Sequence, residues 1–160
     1  MVSSRFNLGV IDNRLLSRSI GYLEPVPAVM VRTGTPVRDV LKCLIDDAVG
    51  CVTIVDKEGR IIGIFSDRDV VLKLSLKKVD IEREPVDHYM TRNPQTSQIT
   101  SPVAFVLSMM SQGGYRHVPI VDEAERPVAM ISVKDIVDYI VAEMEKDISR
   151  LFEESFALFS

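Results

Sequence analysis

The chain has 160 residues, of which 46% are hydrophobic and 26% charged, with a formal net charge of −4 and an isoelectric point near 5.2. This length fits one domain or two small interdependent ones, and the composition is typical of globular proteins. The acidic balance argues against an electrostatic nucleic-acid surface, and no stretch approaches the ~18 apolar residues of a membrane span.

The cysteine and histidine content limits the chemistry further. Cys43 and Cys51 lie in otherwise apolar segments, which favours small buried hydrophobes over a disulfide. Two histidines and two cysteines without recognisable ligand spacing predict no metal site. Because charged residues interrupt the N-terminal segment, we expect no secretion signal and a cytoplasmic location.

The first third of the chain predicts an arm, a strand and a helix. Hydrophobic residues within 1–25 recur at helical spacing and predict a short amphipathic helix or an ordered arm. A strand is expected over 28–31. Thr35 and Pro36 then predict a helix start, with Thr35 as the N-cap residue and Pro36 in the first helical position.

The next segment predicts a hairpin followed by a helix. Residues 51–55 are rich in β-branched side chains, and a turn that contains glycine separates them from a second apolar run at 60–65. Strands joined by so short a turn should pair antiparallel. Ser66 then begins a helix to about residue 77, whose inward face should carry Val70, Val71 and Leu74.

The order strand, helix, hairpin, helix occurs twice. Residues 35–72 (the first repeat) align without a gap with residues 101–138 (the second repeat), at an offset of 66 positions. Residues 79–94 connect the copies and include a predicted helical turn at 85–90. A chance match would not keep register through two helices and a hairpin, so we interpret the pattern as an internal duplication.

Each repeat places a serine and an aspartate where its second hairpin strand meets the following helix. These residues are Ser66 and Asp69 in the first repeat, and Ser132 and Asp135 in the second. The serine is placed to cap the helix, and the aspartate lies near its positive end. Capping explains either copy alone, whereas two copies at a fixed offset also favour a polar binding site.

The last helix is expected to continue beyond residue 141. Its apolar stripe either packs on the chain's own surface or binds a partner, because so broad an apolar face rarely stays in water. The stripe consists of Val141, Met144, Ile148, Leu151, Phe152, Phe156, Leu158 and Phe159.

These features resemble the cystathionine β-synthase (CBS) domain family in its tandem form. The resemblance rests on residues 63–69 (GIFSDRD), 90–94 (MTRNP) and 115–122 (YRHVPIVD), and covers about residues 26–140. It implies an α/β (α+β) fold of two β-α-β-β-α CBS units with pseudo-twofold symmetry, sheets packed face to face and flanking terminal helices. The expected boundaries are 1–25 for the N-terminal arm, 26–78 for the first CBS unit, 79–94 for the linker, 95–140 for the second CBS unit and 141–160 for the C-terminal helical extension.

The resemblance also implies a ligand. Many CBS pairs bind AMP, ADP, ATP, NAD or S-adenosylmethionine in clefts between their two units, where a serine or threonine and an aspartate hold ribose and phosphate. We expect unequal clefts, with phosphate contacts favoured in the second repeat, because the first lacks counterparts of Arg116 and His117 and adds Asp67. The implied ligand-binding residues are Met30, Cys51, Val52, Ser66, Arg68, Asp69, Thr96, Arg116, His117, Val118, Pro119, Ser132, Lys134 and Asp135.

Two alternative functions follow. The first is a non-enzymatic regulatory module that needs no cofactor, binds an adenine nucleotide or adenosyl compound and signals its occupancy to a partner. The second is a ligand-free CBS dimer that acts as an interaction scaffold through its C-terminal apolar helix. The sequence has no nucleophile elbow, phosphate-binding loop or zinc-protease motif, which argues against an enzyme. Both alternatives imply a homodimer, whose interface or underlying core would include Val37, Leu41, Val70, Val103, Leu107 and Ile136.

Overall fold

The computed structural model describes the backbone of residues 13–75 and 77–157 and the side chains of residues 15–75 and 77–150. It is a mixed α and β fold with two sheets, as the sequence predicts. In chain order the elements are α1 (Asn13–Ser17), a 3-10 helix (Ile20–Leu23), β1 (Val26–Pro27), β2 (Met30–Arg32), α2 (Val37–Asp46), β3 (Cys51–Val55), β4 (Ile61–Ser66), α3 (Asp67–Asp69), a π-helix (Val70–Leu74), a 3-10 helix (Val86–His88), β5 (Thr91–Arg92), α4 (Val103–Gly113), β6 (His117–Val121), β7 (Pro127–Ser132) and α5 (Val133–Ala157).

The chain forms two compact units. One, the strand-rich unit, contains residues 25–99 and 117–131. The other, the helical unit, contains the described residues of 1–24, 100–116 and 132–160.

A four-stranded sheet in the strand-rich unit has the order β2-β3-β4-β5. Strand β2 pairs parallel with β3, and β3 pairs antiparallel with β4, so the predicted hairpin is confirmed. The turn between β3 and β4 forms because Asp56 Oδ1 accepts hydrogen bonds from the backbone N–H groups of Glu58 and Arg60. Gly59 completes the turn at φ +85°, a conformation that glycine adopts without steric cost.

The second sheet repeats this pattern with the order β1-β7-β6. Ser97 forms an isolated parallel bridge with Ile120 of β6, which mirrors the parallel pairing of β2 with β3. In the turn before β7, Asp122 Oδ1 accepts from the N–H groups of Ala124 and Arg126, as Asp56 does in the first turn. The duplication read from the sequence therefore extends to hydrogen bonds within the turns.

Apolar side chains from α2, β3, β4, the π-helix and the linker form the core of the strand-rich unit. Burial of such side chains, at roughly 25 cal/mol per Å² of apolar surface, is the main stabilising contribution. The buried cluster consists of Val37, Val40, Val52, Ile54, Phe65, Leu74, Val86 and Met90.

Two hydroxyl groups in this unit are buried, one with a hydrogen-bond partner and one without. Thr53 is fully buried, and its hydroxyl donates to the carbonyl of Val29 at 2.9 Å. Ser97 is 5% exposed, and among the described residues its hydroxyl is the one buried side-chain polar atom without a hydrogen-bond partner. The first repeat has Val31 at the position equivalent to Ser97, so an apolar side chain suits this site.

We predict that Ser97→Ala stabilises the protein. An unsatisfied buried hydroxyl costs about 1–3 kcal/mol, so its removal should raise the free energy of unfolding by about 1 kcal/mol. Thr53→Val is the matched control, because it removes a buried hydroxyl that has a partner and should destabilise by about 1 kcal/mol. Urea unfolding of both variants measures the two changes, and a Ser97→Ala variant less stable than the wild type would contradict the prediction.

The helix starts differ from the prediction. The sequence predicts Thr35 as N-cap, but α2 begins at Val37 and Pro36 occupies the N-cap position, with an extended ψ of 143°. The hydroxyl of Thr35 instead donates to the carbonyl of Arg32 at 2.7 Å. Pro102 occupies the same position before α4, with ψ 144°.

Separate chain segments satisfy the backbone groups at these two helix starts. In the strand-rich unit, the N–H of Val37 donates to Glu84, and the N–H of Val86 donates to Thr35. In the helical unit, the N–H of Val103 donates to Arg18, and the N–H of Ile20 donates to Ser101. The acceptors Glu84 and Arg18 are themselves 66 positions apart, so the structural repeat includes residues 18–20 and 84–86.

Asp87 ties the linker to the loop that precedes α2. Its carboxylate accepts hydrogen bonds from the hydroxyl of Thr33 and from the N–H of Gly34, the latter at 2.7 Å. Partial burial alone would raise the pKa of Asp87, but these hydrogen bonds hold it below its ordinary value. Gly34 has φ +83°, which allows its N–H to face the carboxylate.

Helix α5 continues without interruption from Val133 to Ala157, as predicted for the last helix. Three of the residues considered for a dimer interface, Val37, Val103 and Ile136, are fully buried within the chain, whereas Leu41, Val70 and Leu107 are half-buried. On α5, Val141 and Ile148 are exposed and Met144 is half-buried, while the side chains of the stripe from Leu151 onward lie outside the described residues. No described helix is long and apolar enough to cross a membrane.

The helix after Ser66 also differs from the prediction. It ends at Leu74 rather than near residue 77, and its second half is a π-helix. Leu74 is buried and Val70 half-buried, but Val71 is 65% exposed, so its assignment to the inward face was wrong. Val70 and Leu74 are four residues apart and therefore share one helix face, from which Val71 is turned away.

Candidate functional site

The first strand-to-helix junction, at Ser66–Asp69, is a reciprocal capping box. The backbone N–H and the hydroxyl of Ser66 donate to Oδ2 of Asp69 at 2.8 and 2.9 Å. Asp69 is only 8% exposed, so its carboxylate is held in place and largely shielded from water. We call the residues from Ser66 to Asp69 the first junction.

The second junction, from Ser132 to Asp135, has the same geometry. The N–H and hydroxyl of Ser132 both donate to Oδ2 of Asp135 at 2.7 Å, and the N–H of Asp135 donates to the Ser132 hydroxyl at 3.2 Å. Both serines therefore cap their helices as the sequence predicts. Each box leaves the Oδ1 side of a carboxylate for other contacts.

In both junctions, a residue just before the hairpin accepts a hydrogen bond from the first backbone N–H after the serine. The N–H of Asp67 donates to the carbonyl of Gly50 at 3.1 Å in the strand-rich unit. The N–H of Val133 donates to the carbonyl of Arg116 at 2.9 Å in the helical unit. Gly50 and Arg116 are equivalent in the repeat, so the junctions differ in the side chain that this position offers.

Cys51 and Val52 form the buried wall of the first junction. Cys51 lies directly opposite Ser66 in the β3–β4 register. Burial, followed by the charges of Asp69 and Asp67, raises the pKa of the Cys51 thiol to about 12, so the thiol stays protonated at neutral pH. Val52 is fully buried, whereas Met30 is 52% exposed and can contact a ligand with its side chain.

His117 lies beside Gly50, the residue whose carbonyl contacts the first junction. A β-carbon added to Gly50 would lie 2.8 Å from Nε2 of His117, so the absence of a side chain at Gly50 makes room for the imidazole ring. Both residues belong to the strand-rich unit. The structure thus brings a second-repeat residue next to the first repeat, a proximity that the repeat alignment did not reveal.

The remaining predicted residues are divided between core and surface. Val118 and Pro119 are buried in β6, and Thr96 is half-buried. Arg68, Arg116 and Lys134 are exposed. Lys134 Nζ pairs with the carboxylate of Asp138, and that hydrogen bond raises the pKa of Lys134 above its ordinary value.

Sequence reasoning missed Lys73, which contacts the carboxylate of the first junction. Its Nζ lies 2.7 Å from Oδ1 of Asp69. The two residues are four apart, the helical spacing at which acidic and basic side chains meet, and this spacing is the signal that was available in the sequence. The residue equivalent to Lys73 in the second repeat is Tyr139.

The arrangement can bind hydroxyl groups of a ligand. Each junction presents a fixed carboxylate that can accept hydrogen bonds from hydroxyl groups, and the N-terminus of α5 adds a positive dipole near Asp135. Among the described residues, no group of three histidine, cysteine, aspartate or glutamate side chains is arranged to hold a metal ion.

Comparison with known proteins identifies the family. The family model for the CBS domain matches two regions, residues 22–76 and 86–142. The chain is 25% identical over 150 residues to the CBS domain-containing protein CBSCBSPB5 of Arabidopsis thaliana, a match that covers 94% of this chain and 27% of that protein. It is 28% identical over 132 residues to L-aspartate semialdehyde sulfurtransferase of Methanocaldococcus jannaschii, covering 81% of this chain and 25% of the enzyme. The chain thus spans about a quarter of the length of these two relatives.

A solved structure shares the fold and contains ligands. The crystal structure of the CBS domain pair of protein MJ0100, in complex with 5′-methylthioadenosine and S-adenosyl-L-methionine, superposes with a TM-score of 0.65 at 25% identity. The match covers 84% of this chain and 98% of that one. The two matched regions make up more than half of the chain, and each contains one of the repeats. The chain therefore belongs to the CBS domain family and carries a tandem pair of CBS domains.

Proposed function

We propose that this chain is a regulatory module that binds an adenine nucleotide or adenosyl compound at its strand-to-helix junctions. The observation that carries the proposal is the pair of Ser–Asp boxes, built alike 66 positions apart. The adenosyl ligands of the related MJ0100 domain pair support the ligand class.

The chemistry of each junction fits an adenosyl group. A carboxylate whose Oδ2 is already fixed by serine can offer Oδ1 to ribose hydroxyl groups. At the second junction, the exposed Arg116 and Lys134 can approach a phosphate or a carboxylate of the ligand, and Arg116 offers bidentate contact. We place the adenine of the first junction beside the exposed side chain of Met30, as the family resemblance implies, whereas Val52 and Val118 have no exposed surface to offer a ligand.

The proposed output is a change in association with a partner protein or with a second copy of the chain. A ligand shifts a conformational equilibrium only by its differential affinity for the two states. Burial raises the pKa of both thiols and keeps them protonated at neutral pH, so the proposal assigns neither cysteine a nucleophilic role.

A second candidate function is an interaction scaffold. Helix α5 runs to Ala157, beyond the family match that ends at residue 142, and it exposes Val137, Val141 and Ile148. An extension with exposed apolar residues favours partner binding through residues 141–160, with or without a ligand.

A thermal-shift panel tests the proposal, with AMP, ATP, NAD, S-adenosylmethionine and 5′-methylthioadenosine as probes. A probe at ~100 times its dissociation constant should stabilise the protein by about 2.7 kcal/mol. The double variant Asp69→Asn/Asp135→Asn should lose this shift, because an asparagine that keeps its oxygen toward the serine presents an NH2 donor where the ribose hydroxyls need an acceptor. Glu123→Gln, an exposed residue in the turn before β7, is the control for loss of an acidic charge.

Two results would contradict the proposal. No shift with any probe, with calorimetry equally silent, would favour the scaffold function. A shift that survives in the double variant would place the ligand away from the junctions.

A further inference from the structure

Lys73 is held at the first junction by all three of its donor hydrogens. Its Nζ contacts Oδ1 of Asp69 at 2.7 Å, the carbonyl oxygen of Tyr89 at 2.7 Å and the hydroxyl of Thr91 at 3.2 Å. An ammonium group has three N–H donors, so these contacts account for its full hydrogen-bonding capacity. The lysine side chain is 31% exposed and is thus packed for most of its length.

This contact limits what the first junction can accept. A carboxylate has about four lone-pair sites. At Asp69, the N–H and hydroxyl of Ser66 occupy two of them and Lys73 occupies a third. One site remains, whereas the two cis hydroxyls of a ribose need two.

The second junction has no lysine at this position. Tyr139 replaces it, and its hydroxyl accepts a hydrogen bond from Arg18 at 3.2 Å instead of neutralising the aspartate. Ser132 fixes Oδ2 of Asp135 as in the first junction. The second carboxylate therefore keeps the charge and the acceptor capacity that Lys73 removes from the first.

We propose that Lys73 makes the two junctions unequal in affinity, so that an adenosyl ligand binds first at Ser132–Asp135 and binds at Ser66–Asp69 only when its ribose displaces the Lys73 ammonium. This inference rests on the proposed function, which concerns either junction. Displacement also frees Lys73 from Tyr89 and Thr91 of the linker. Ligand binding at Ser66–Asp69 therefore breaks these linker contacts, whereas binding at Ser132–Asp135 leaves them in place.

Titration calorimetry with 5′-methylthioadenosine tests the inference, because this probe has no phosphate and isolates ribose recognition from charge. As single substitutions, Asp135→Asn should abolish the tighter binding event and Asp69→Asn should leave it in place. Lys73→Tyr, which copies Tyr139, should tighten binding at the first junction by about tenfold, on the order of one hydrogen bond to a charged group. Adding Asp69→Asn to Lys73→Tyr should remove that gain.

Further variants keep the test decisive. Lys73→Met retains the apolar stem without the ammonium and should act like Lys73→Tyr. The reciprocal Tyr139→Lys should weaken the tighter event by about tenfold. If the Lys73 variants fail to fold, this variant alone is sufficient to test the inference. Lys57→Met removes an exposed lysine of the β3–β4 turn and should change neither event.

The outcomes separate this inference from the proposed function. Folded variants that bind the probe with unchanged affinities at both junctions would overturn the role of Lys73 while leaving the proposed function intact. A wild-type protein that binds neither 5′-methylthioadenosine nor AMP would overturn both.

Discussion

Phe65→Ala should lower the free energy of unfolding by about 3–5 kcal/mol, the usual cost of replacing a fully buried phenylalanine by alanine. Phe65 lies in β4 with no exposed surface and belongs to the core cluster of the strand-rich unit. Removal of its ring deletes apolar contacts and leaves a cavity that close-packed neighbours fill only partly. Urea unfolding followed by circular dichroism measures the change.

The chain provides a matched control for this variant. Phe105 lies on α4 and is 55% exposed, so Phe105→Ala should change stability by less than about 0.5 kcal/mol. Equal losses for the two variants would mean that Phe105 is buried in an assembly, which would support a homodimer. A small loss for Phe65→Ala would contradict its place in the core.

Asp69→Ala should destabilise the protein by about 3 kcal/mol, and Asp135→Ala by about 1 kcal/mol. Both substitutions remove the acceptor of a capping box. Asp69→Ala also leaves the ammonium of Lys73 without its carboxylate in a half-buried position, whereas the uncharged Tyr139 is its equivalent 66 positions later. Removing one partner of a buried ion pair costs more than the pair itself contributes.

A double-mutant cycle tests this explanation. Asp69→Ala/Lys73→Met should recover part of the loss, with a coupling energy of about 0.5–3 kcal/mol between the two sites. Thermal unfolding of the two single variants and the double variant supplies the values. Equal losses for Asp69→Ala and Asp135→Ala, with no coupling to Lys73, would show that the ion pair contributes nothing beyond the cap.

The regular elements of this fold were predictable because they depend on local patterns. The β-branched run at Cys51–Val55 and the glycine-containing turn after it specify a hairpin, and the same pattern recurs in the second repeat. The exact helix starts were not predictable in this way. Thr35 is a good N-cap residue by preference, but Pro36 takes the position because the linker supplies acceptors for the helix.

The candidate site was predictable only in part, for a physical reason. The Ser–Asp boxes are contacts between residues three apart, so the sequence contains them directly. The position of His117 beside Gly50 joins residues 67 apart in the chain, and no local pattern encodes it. Lys73 lies between these cases, because its spacing from Asp69 is local but its contacts with the linker are not.

The hydrogen bonds that separate chain segments make at the starts of α2 and α4 have a consequence for the order of synthesis. Glu84 is made 47 residues after Val37, so the start of α2 gains its acceptor once the linker is made. Arg18 and Ile20 are made 85 and 81 residues before their partners Val103 and Ser101. Ile20 therefore has no partner at the start of α4 until that helix is made. The start of α4 can therefore be completed only by contact with that earlier segment, residues 18–20. A fragment that starts after residue 24 would lack that part altogether.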